Sequence, residues 1–225
     1  MTEARVPRRN RDAITAARLA FLDPVLNGDG WARQSDRRFF RLRDEILQEI
    51  TVFVTPQGDR RFEVRWDAGP LFIPHDRVTF PGGWLSPGGR GWEGATHEQA
   101  DASMRAAARL VDRFVLPWME RRDGVEAFLD TLQEEQWSFV DRQLFVAGAC
   151  LARLGRRSLA RENLRRAMTV FRERHEDVFH RATWVDACQR LQQALADGEE
   201  QELLDRWLVG TARARNVPRT WYEDL

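Results

Sequence analysis

The residues best equipped for chemistry gather around one glycine-rich segment. His75 and Asp76 precede it, and His97 and Glu98 follow it. Imidazole and carboxylate at converging loop ends would suit zinc or another divalent ion. Between them stand Arg77, Trp84, Arg90 and Trp92. Arg77 and Arg90 could clamp an anion, the two indoles could form stacking walls, and His75 or His97 could move a proton. The candidate ligand or partner residues are therefore Arg77, Trp84, Arg90, Trp92 and His97. A plainer reading competes with this one. Asp76 suits a turn, His97 and Glu98 suit a first helical turn where acid complements the dipole, and the tryptophans can pack back on a sheet. It outweighs the metal reading, so no metal and no cofactor are expected. Gly82-Gly83 and Gly88-Gly89-Arg90-Gly91 match neither GxGxxG nor a phosphate-binding lysine loop.

Elsewhere the inventory for catalysis is thin. All 35 basic residues are arginine. Without lysine there is no Schiff-base amine and no phosphate-loop ammonium. No GxSxG, HExxH or HxE…CxxC arrangement occurs. Cys150 and Cys188 lie in apolar helical contexts without CxxC spacing, as reduced buried thiols of a cytoplasmic protein do. His175 and His180 are five apart and share no helical face.

The elements that must position these groups are read from periodicity. Phe39 to Ile73 is the only stretch that alternates as a sheet does. In 46–55, Ile46, Ile50, Val52 and Val54 face one way while Leu47, Glu49, Thr51, Phe53 and Thr55 face the other. Pro56-Gln57-Gly58-Asp59 turns the chain. In 61–67, Phe62, Val64 and Trp66 point inward. After Ala68-Gly69-Pro70, Leu71-Phe72-Ile73 reads as a last strand stopped by Pro74. The prediction is an antiparallel meander of three or four strands with one wet face, covered by the flanking helices.

Residues 1–11 carry Arg5, Arg8, Arg9 and Arg11 and no apolar core of a signal peptide, so they read as a flexible basic arm. A helix capped by Asp12 runs through Ile14, Ala17, Leu19, Phe21 and Leu22 and ends by Asn27-Gly28-Asp29-Gly30. Trp31 leads through a polar stretch into the first strand. This order, helix, FLDPVLNGDGW break, RQSDRRFFRLRDEILQEITVFVT and the Phe62–Val64 strand, resembles an uncharacterised bacterial family, domain of unknown function forty-three-oh-four. Gly30-Trp31 stands where that family places Gly-Phe, and Arg33 to Phe40 matches its basic-aromatic run. The resemblance covers residues 13 to 120 and implies the order of the fold; it implies no activity.

Beyond the loop, Thr96-His97-Glu98-Gln99 is a capping box. It opens a helix with Ala100, Met104, Ala107, Ala108, Val111, Phe114 and Val115 on one stripe, bent or ended by Pro117 near Trp118. Val125 to Leu132 is a further helix. Leu144, Ala147, Gly148 and Leu151, then a stop at Gly155, then Ala160, Leu164 and Ala167, are similar to one tetratricopeptide hairpin, with small residues permitting close approach. Helices 178–195 and 199–214 follow without a second copy in register, which predicts a four-helix cap and no open solenoid. Trp221 and Tyr222 in the tail are expected to dock.

The fold class is thus α+β: an arm at 1–11, an α+β domain at 12–132 and a helical domain at 133–225. Formal charge is zero, with 35 basic against 35 acidic residues, so no global field steers nucleic acid or a membrane surface to the chain. No segment has the length of a membrane span. The function expected is a non-catalytic protein-interaction module of a bacterial cytoplasmic protein, immunity-like or an accessory subunit of a defence system. The alternative is a ligand-binding protein or enzyme that holds an anionic small molecule in loop 75–97.

Overall fold

The computed structural model describes residues 8–55, 61–74, 82–134, 140–173 and 178–222. The fold is α+β, an antiparallel sheet with a C-terminal helical region. The chain forms two compact units. The first comprises Met1–Leu42, Leu47–Ala68 and Thr79–Glu120; the second comprises Arg43–Ile46, Gly69–Val78 and Arg121–Leu225.

The first unit begins with α1 (Arg8–Ala17), continued by a π-helical turn at Arg18–Leu22. The sheet follows: β1 (Ala32–Ser35), β2 (Arg38–Arg43), β3 (Ile46–Val54) and β4 (Arg61–Pro70). Two short strands complete it, β5 (Gly82–Leu85) and β6 (Trp92–Glu93), both within the segment read from sequence as an irregular loop. The order is β1-β2-β3-β4-β5, and β6 pairs with β4 beyond the end of β5. The register sets Val64 opposite Leu85, Arg65 opposite Trp84, and Phe62 opposite Trp92. One face of the sheet, through Phe39, Ile50, Val52, Phe62 and Val64, shares a core with Ala13, Ile14 and Ala17 of α1 and with α2 (His97–Leu110). The N-terminus of α2 forms as its sequence dictates: the Thr96 hydroxyl accepts from the Gln99 amide at 3.1 Å.

Four sequence expectations are corrected here. The helix begins at Arg8, so Arg8 to Arg11 do not belong to an arm and Asp12 lies inside the helix instead of capping it. Leu71-Phe72-Ile73 is not a strand. The ladder of β4 runs to Pro70, which has no N–H to extend it, and the next three residues turn with their side chains fully buried. Along β3 the wet face is confined to the distal end, because Leu47, Gln48 and Glu49 are buried along with Ile46 and Ile50. Gln48 satisfies its amide there, accepting from Arg41 Nε at 2.8 Å and donating to the Met119 carbonyl at 2.8 Å. Phe114 leaves the apolar stripe of α2. A second π-helical turn at Val111–Val115 shifts the phase, so Val111 and Val115 stay buried while Phe114 is 54% exposed. The helix resumes as α3 (Leu116–Glu120).

In the second unit, α4 (Val125–Glu134) is followed by the hairpin of α5 (Val140–Arg153) and α6 (Arg157–Glu173), then α7 (Val178–Asp197) and α8 (Glu200–Ala214). Gly155, at φ +71°, closes α5 in a Schellman turn: its own amide bonds Ala152 and the Arg156 amide bonds Leu151. The hairpin packs tightly where the small residues predict it. A Cβ on Gly148 would lie 2.8 Å from Leu164 Cγ. Glu45, at the turn between β2 and β3, is buried and forms a two-pronged ion pair with Arg153, with Arg153 Nε to the carboxylate at 2.7 Å. Asp205 and Gln201 of α8 hold the other guanidinium nitrogen at 2.6 and 3.0 Å. Burial disfavours the Arg153 charge, but the Glu45 carboxylate and then Asp205 outweigh it and hold its pKa above the ordinary value. Leu71 N–H bonds the Glu45 carbonyl at 2.9 Å, and the Thr211 hydroxyl donates to the Ile73 carbonyl at 2.8 Å. Tyr222 is buried, as expected of a docked tail.

Candidate functional site: the exposed aromatic face of the sheet

The glycine-rich segment is organised by Ser86. Its hydroxyl accepts from the Gly91 amide at 2.8 Å and donates to Glu63 at 2.9 Å, closing the turn between β5 and β6. Arg61 bonds the Arg90 carbonyl at 3.2 Å and pairs with Glu93 at 2.9 Å. The structure does not bring the candidate residues together. Because they lie opposite Arg65 and Phe62, odd and even positions of β4, Trp84 and Trp92 fall on opposite faces of the sheet.

Trp92 belongs to the core. It stacks on Phe62 with ring centroids 6.5 Å apart, and its Nε1 donates to the Leu85 carbonyl at 3.0 Å. Arg90 is exposed in the turn, where its carbonyl is the group engaged. His97 is exposed in the first turn of α2. His75, Asp76 and Arg77 lie outside the described residues, as does the His175 side of the histidine pair. Among the described residues no group of three His, Cys, Asp or Glu could hold a metal ion. Gly82 and Gly83 serve strand packing. A Cβ at Gly82 would sit 2.0 Å from the Trp66 carbonyl oxygen, and one at Gly83 would sit 2.7 Å from the Trp66 ring. Only glycine lets β5 cross Trp66 this closely.

Of the two candidate tryptophans, Trp84 is the one that faces outward, 48% exposed. It meets Phe53 of β3, 44% exposed, edge to face with centroids 6.0 Å apart. The guanidinium of Arg65 lies 5.4 Å from the Trp84 ring centre, a cation–π pair across the β4–β5 ladder. Arg65 is held in turn by Asp67 at 3.5 Å. Phe53 and Arg65 were not among the sequence candidates. The signal was present in the alternation, which sets Phe53 on the wet face beside Thr51 and Thr55. Two large aromatic rings and a stacked arginine thus sit side by side in water on a rigid sheet. Such a surface can bury apolar area and orient one charge against a complementary surface.

Burial of both cysteines disfavours their thiolate forms. Burial pushes the Cys188 thiol up to about 12, and burial followed by the Glu45 charge pushes Cys150 higher still. Among the described residues no helix is long and apolar enough to cross a membrane. No family model, no curated protein and no solved structure matches this chain.

Proposed function

We propose that this protein is a protein-interaction module whose contact surface centres on Trp84, Phe53 and Arg65. The observation that carries this reading is their adjacency, half exposed, on one face of a sheet whose other face is core. Tryptophan and arginine are among the residue types that dominate binding energy at protein interfaces, phenylalanine is enriched there, and a sheet fixes them with little ordering entropy left to lose. The finer reading is an immunity-like protein, or an accessory subunit of a defence system, working in the cytoplasm of a bacterium. The neutral charge balance fits a partner that is not strongly basic.

Affinity purification of the whole chain from its source cells tests this. A stoichiometric protein partner is expected with the wild type. Trp84→Ser should weaken retention by about 2 kcal/mol or more, on the order of thirtyfold, while leaving the circular dichroism unchanged. Retention by Trp84→Ser and Phe53→Ser equal to that of the wild type would remove this face from the interface.

A further inference from the structure

A second feature of the first unit lies away from the Trp84 face. An open cleft of about 450 Å³ runs beside the π-helical turn at Arg18–Leu22, with Asp23, Leu26, Asn27, Trp31, Arg33 and Phe39 among its lining residues. Phe39 belongs to the core face of the sheet, opposite to Trp84. The volume is in the range of sites for small organic molecules. More of the lining is polar than apolar, so burial alone does not define what fits.

The two charges on the lining cancel. Asp23 Oδ2 lies 3.5 Å from Arg33 Nη1, and Asp23 Oδ1 lies 3.3 Å from Nε of Arg18, which the π turn carries inward to 1% exposure. Both separations exceed the roughly 2.7–2.9 Å of a charge-assisted hydrogen bond, so the carboxylate is neutralised while its capacity to accept hydrogen bonds is not used up. Arg33 meets Asp23 through one nitrogen and is 48% exposed, so its fork keeps donors although its charge is matched. The Asn27 amide, exposed at the same cleft, adds two donors and an acceptor. Trp31 supplies a flat wall. The guanidinium of Arg41 lies 5.0 Å from the Trp31 ring centre and pairs with Asp29, which braces the indole. Leu19, 49% exposed, stands on the rim.

A ligand for this lining is uncharged, donates and accepts hydrogen bonds at adjacent atoms, and offers a flat C–H face to an indole. An anion or a cation would compete with one member of the Asp23–Arg33 pair. A wholly apolar ring would take water from Asn27 and Asp23 and return no hydrogen bond. Hydroxyl groups both donate and accept, and a pyranose carries a row of them around a ring with C–H faces. We infer that this cleft binds a neutral saccharide of one or two pyranose rings. One hydroxyl donates to Asp23 and accepts from Arg33, a neighbouring one meets the Asn27 amide, and a ring face lies on Trp31. This site is independent of the protein-contact face.

Titration of the whole protein with maltose, cellobiose and lactose, followed by nitrogen-correlated NMR spectra, tests the inference. Methyl glucoside, glucuronate, glucosamine and cyclohexanol serve as neutral, anionic, cationic and apolar controls. Saturable one-to-one binding of at least one disaccharide is expected, with a dissociation constant on the order of 1 mM or tighter. Methyl glucoside should bind at least as well as glucuronate or glucosamine, and cyclohexanol about tenfold more weakly or worse. The Trp31 indole signal, identified by its loss in Trp31→Phe, should move during the titration, and the Trp84 signal should stay. Arg33→Leu should lower saccharide affinity about tenfold, whereas Arg33→Gln, whose amide still donates, should stay within about threefold of the wild type. Failure of all three disaccharides to bind, about tenfold tighter binding of glucuronate or glucosamine than of methyl glucoside, unchanged affinity in Arg33→Leu, or movement of the Trp84 signal in place of Trp31 would each overturn the assignment.

Discussion

Gly148 and Leu164 provide a prediction whose sign is decided by packing against propensity. Replacing a helical glycine by alanine normally stabilises by up to ~1 kcal/mol, since the backbone loses freedom on folding. At Gly148 the added methyl would stand 2.8 Å from Leu164 Cγ, 2.9 Å from Leu164 Cδ2 and 3.4 Å from the Ala160 carbonyl. Carbon atoms in good contact sit about 3.5 to 4.0 Å apart, so Leu164 must retreat by nearly ~1 Å. It has nowhere to go: Leu164, Ala160 and Ala167 are all fully buried. Overpacking of this kind costs about 1 to 3 kcal/mol, which exceeds the propensity gain and leaves Gly148→Ala destabilised by about 1 kcal/mol. Leu164→Ala alone should cost about 2 to 5 kcal/mol through the cavity it opens. In the double variant the new methyl no longer collides, so the penalty at Gly148 should vanish and a coupling of about 1 to 3 kcal/mol should appear. Urea unfolding at constant m-value reads all three. Gly210, within α8 with nothing near its Cβ position, is the control, and Gly210→Ala should gain up to ~1 kcal/mol. If Gly148→Ala gains as much as Gly210→Ala, the close approach of α5 and α6 is refuted.

Two further outcomes follow from buried groups of the second unit. Arg153→Met leaves the Glu45 carboxylate buried without its partner and should cost about 3 to 5 kcal/mol, whereas Asp205→Asn, at the exposed end of the same network, should cost under ~1 kcal/mol; matched losses in denaturant titrations would argue against the burial of this pair. The thiols should produce an alkaline limit. Cys188 is protonated in the folded chain up to about 12 but titrates near 9.0 when unfolded, so its contribution is intact below pH 9.0 and is lost as pH rises between those values. The slope is about 1.4 kcal/mol per pH unit for each such thiol, and Cys188→Ala should remove one share of it in thermal melts from pH 9 upward. A thiol reagent at pH 8 should label the native chain at neither cysteine; rapid labelling of Cys188 would contradict its burial.

How much of this was legible in the sequence varies with how local the cause is. The Thr96 cap and the Gly155 stop act through neighbours a few positions away, the small residues of α5 and α6 act across one short hairpin, and all formed as read. The alternation of β3 and β4 likewise gave the core residues Ile50, Val52, Phe62 and Val64. β5 was hidden because Gly82 and Gly83 answer to Trp66 across the ladder, a constraint with no local trace in periodicity. Leu71–Ile73 has strand-like composition, yet its backbone satisfies partners distant in sequence, such as the Glu45 carbonyl. The π turns moved Phe114 and Leu19 outward, and a one-residue phase shift cannot be seen in a fixed helical period. For the site, Trp84 was a sequence candidate, while Arg65 and Phe53 became relevant only through cross-strand register.

Glu45 and Ile73 reach their partners in the second unit from segments that the chain delivers long before α5 and α8. A ribosome releases the Glu45 turn roughly a hundred residues ahead of Arg153, and a buried carboxylate must wait in solvent for its counter-ion. No single scissile bond separates the two units, because each is assembled from interleaved pieces of the same polypeptide. A fragment starting at Arg121 would inherit Arg153 without Glu45 and Thr211 without the Ile73 carbonyl. Truncation maps of this protein will therefore report failed folding where they seek a minimal domain, and only full-length chains carrying point substitutions can apportion its activities.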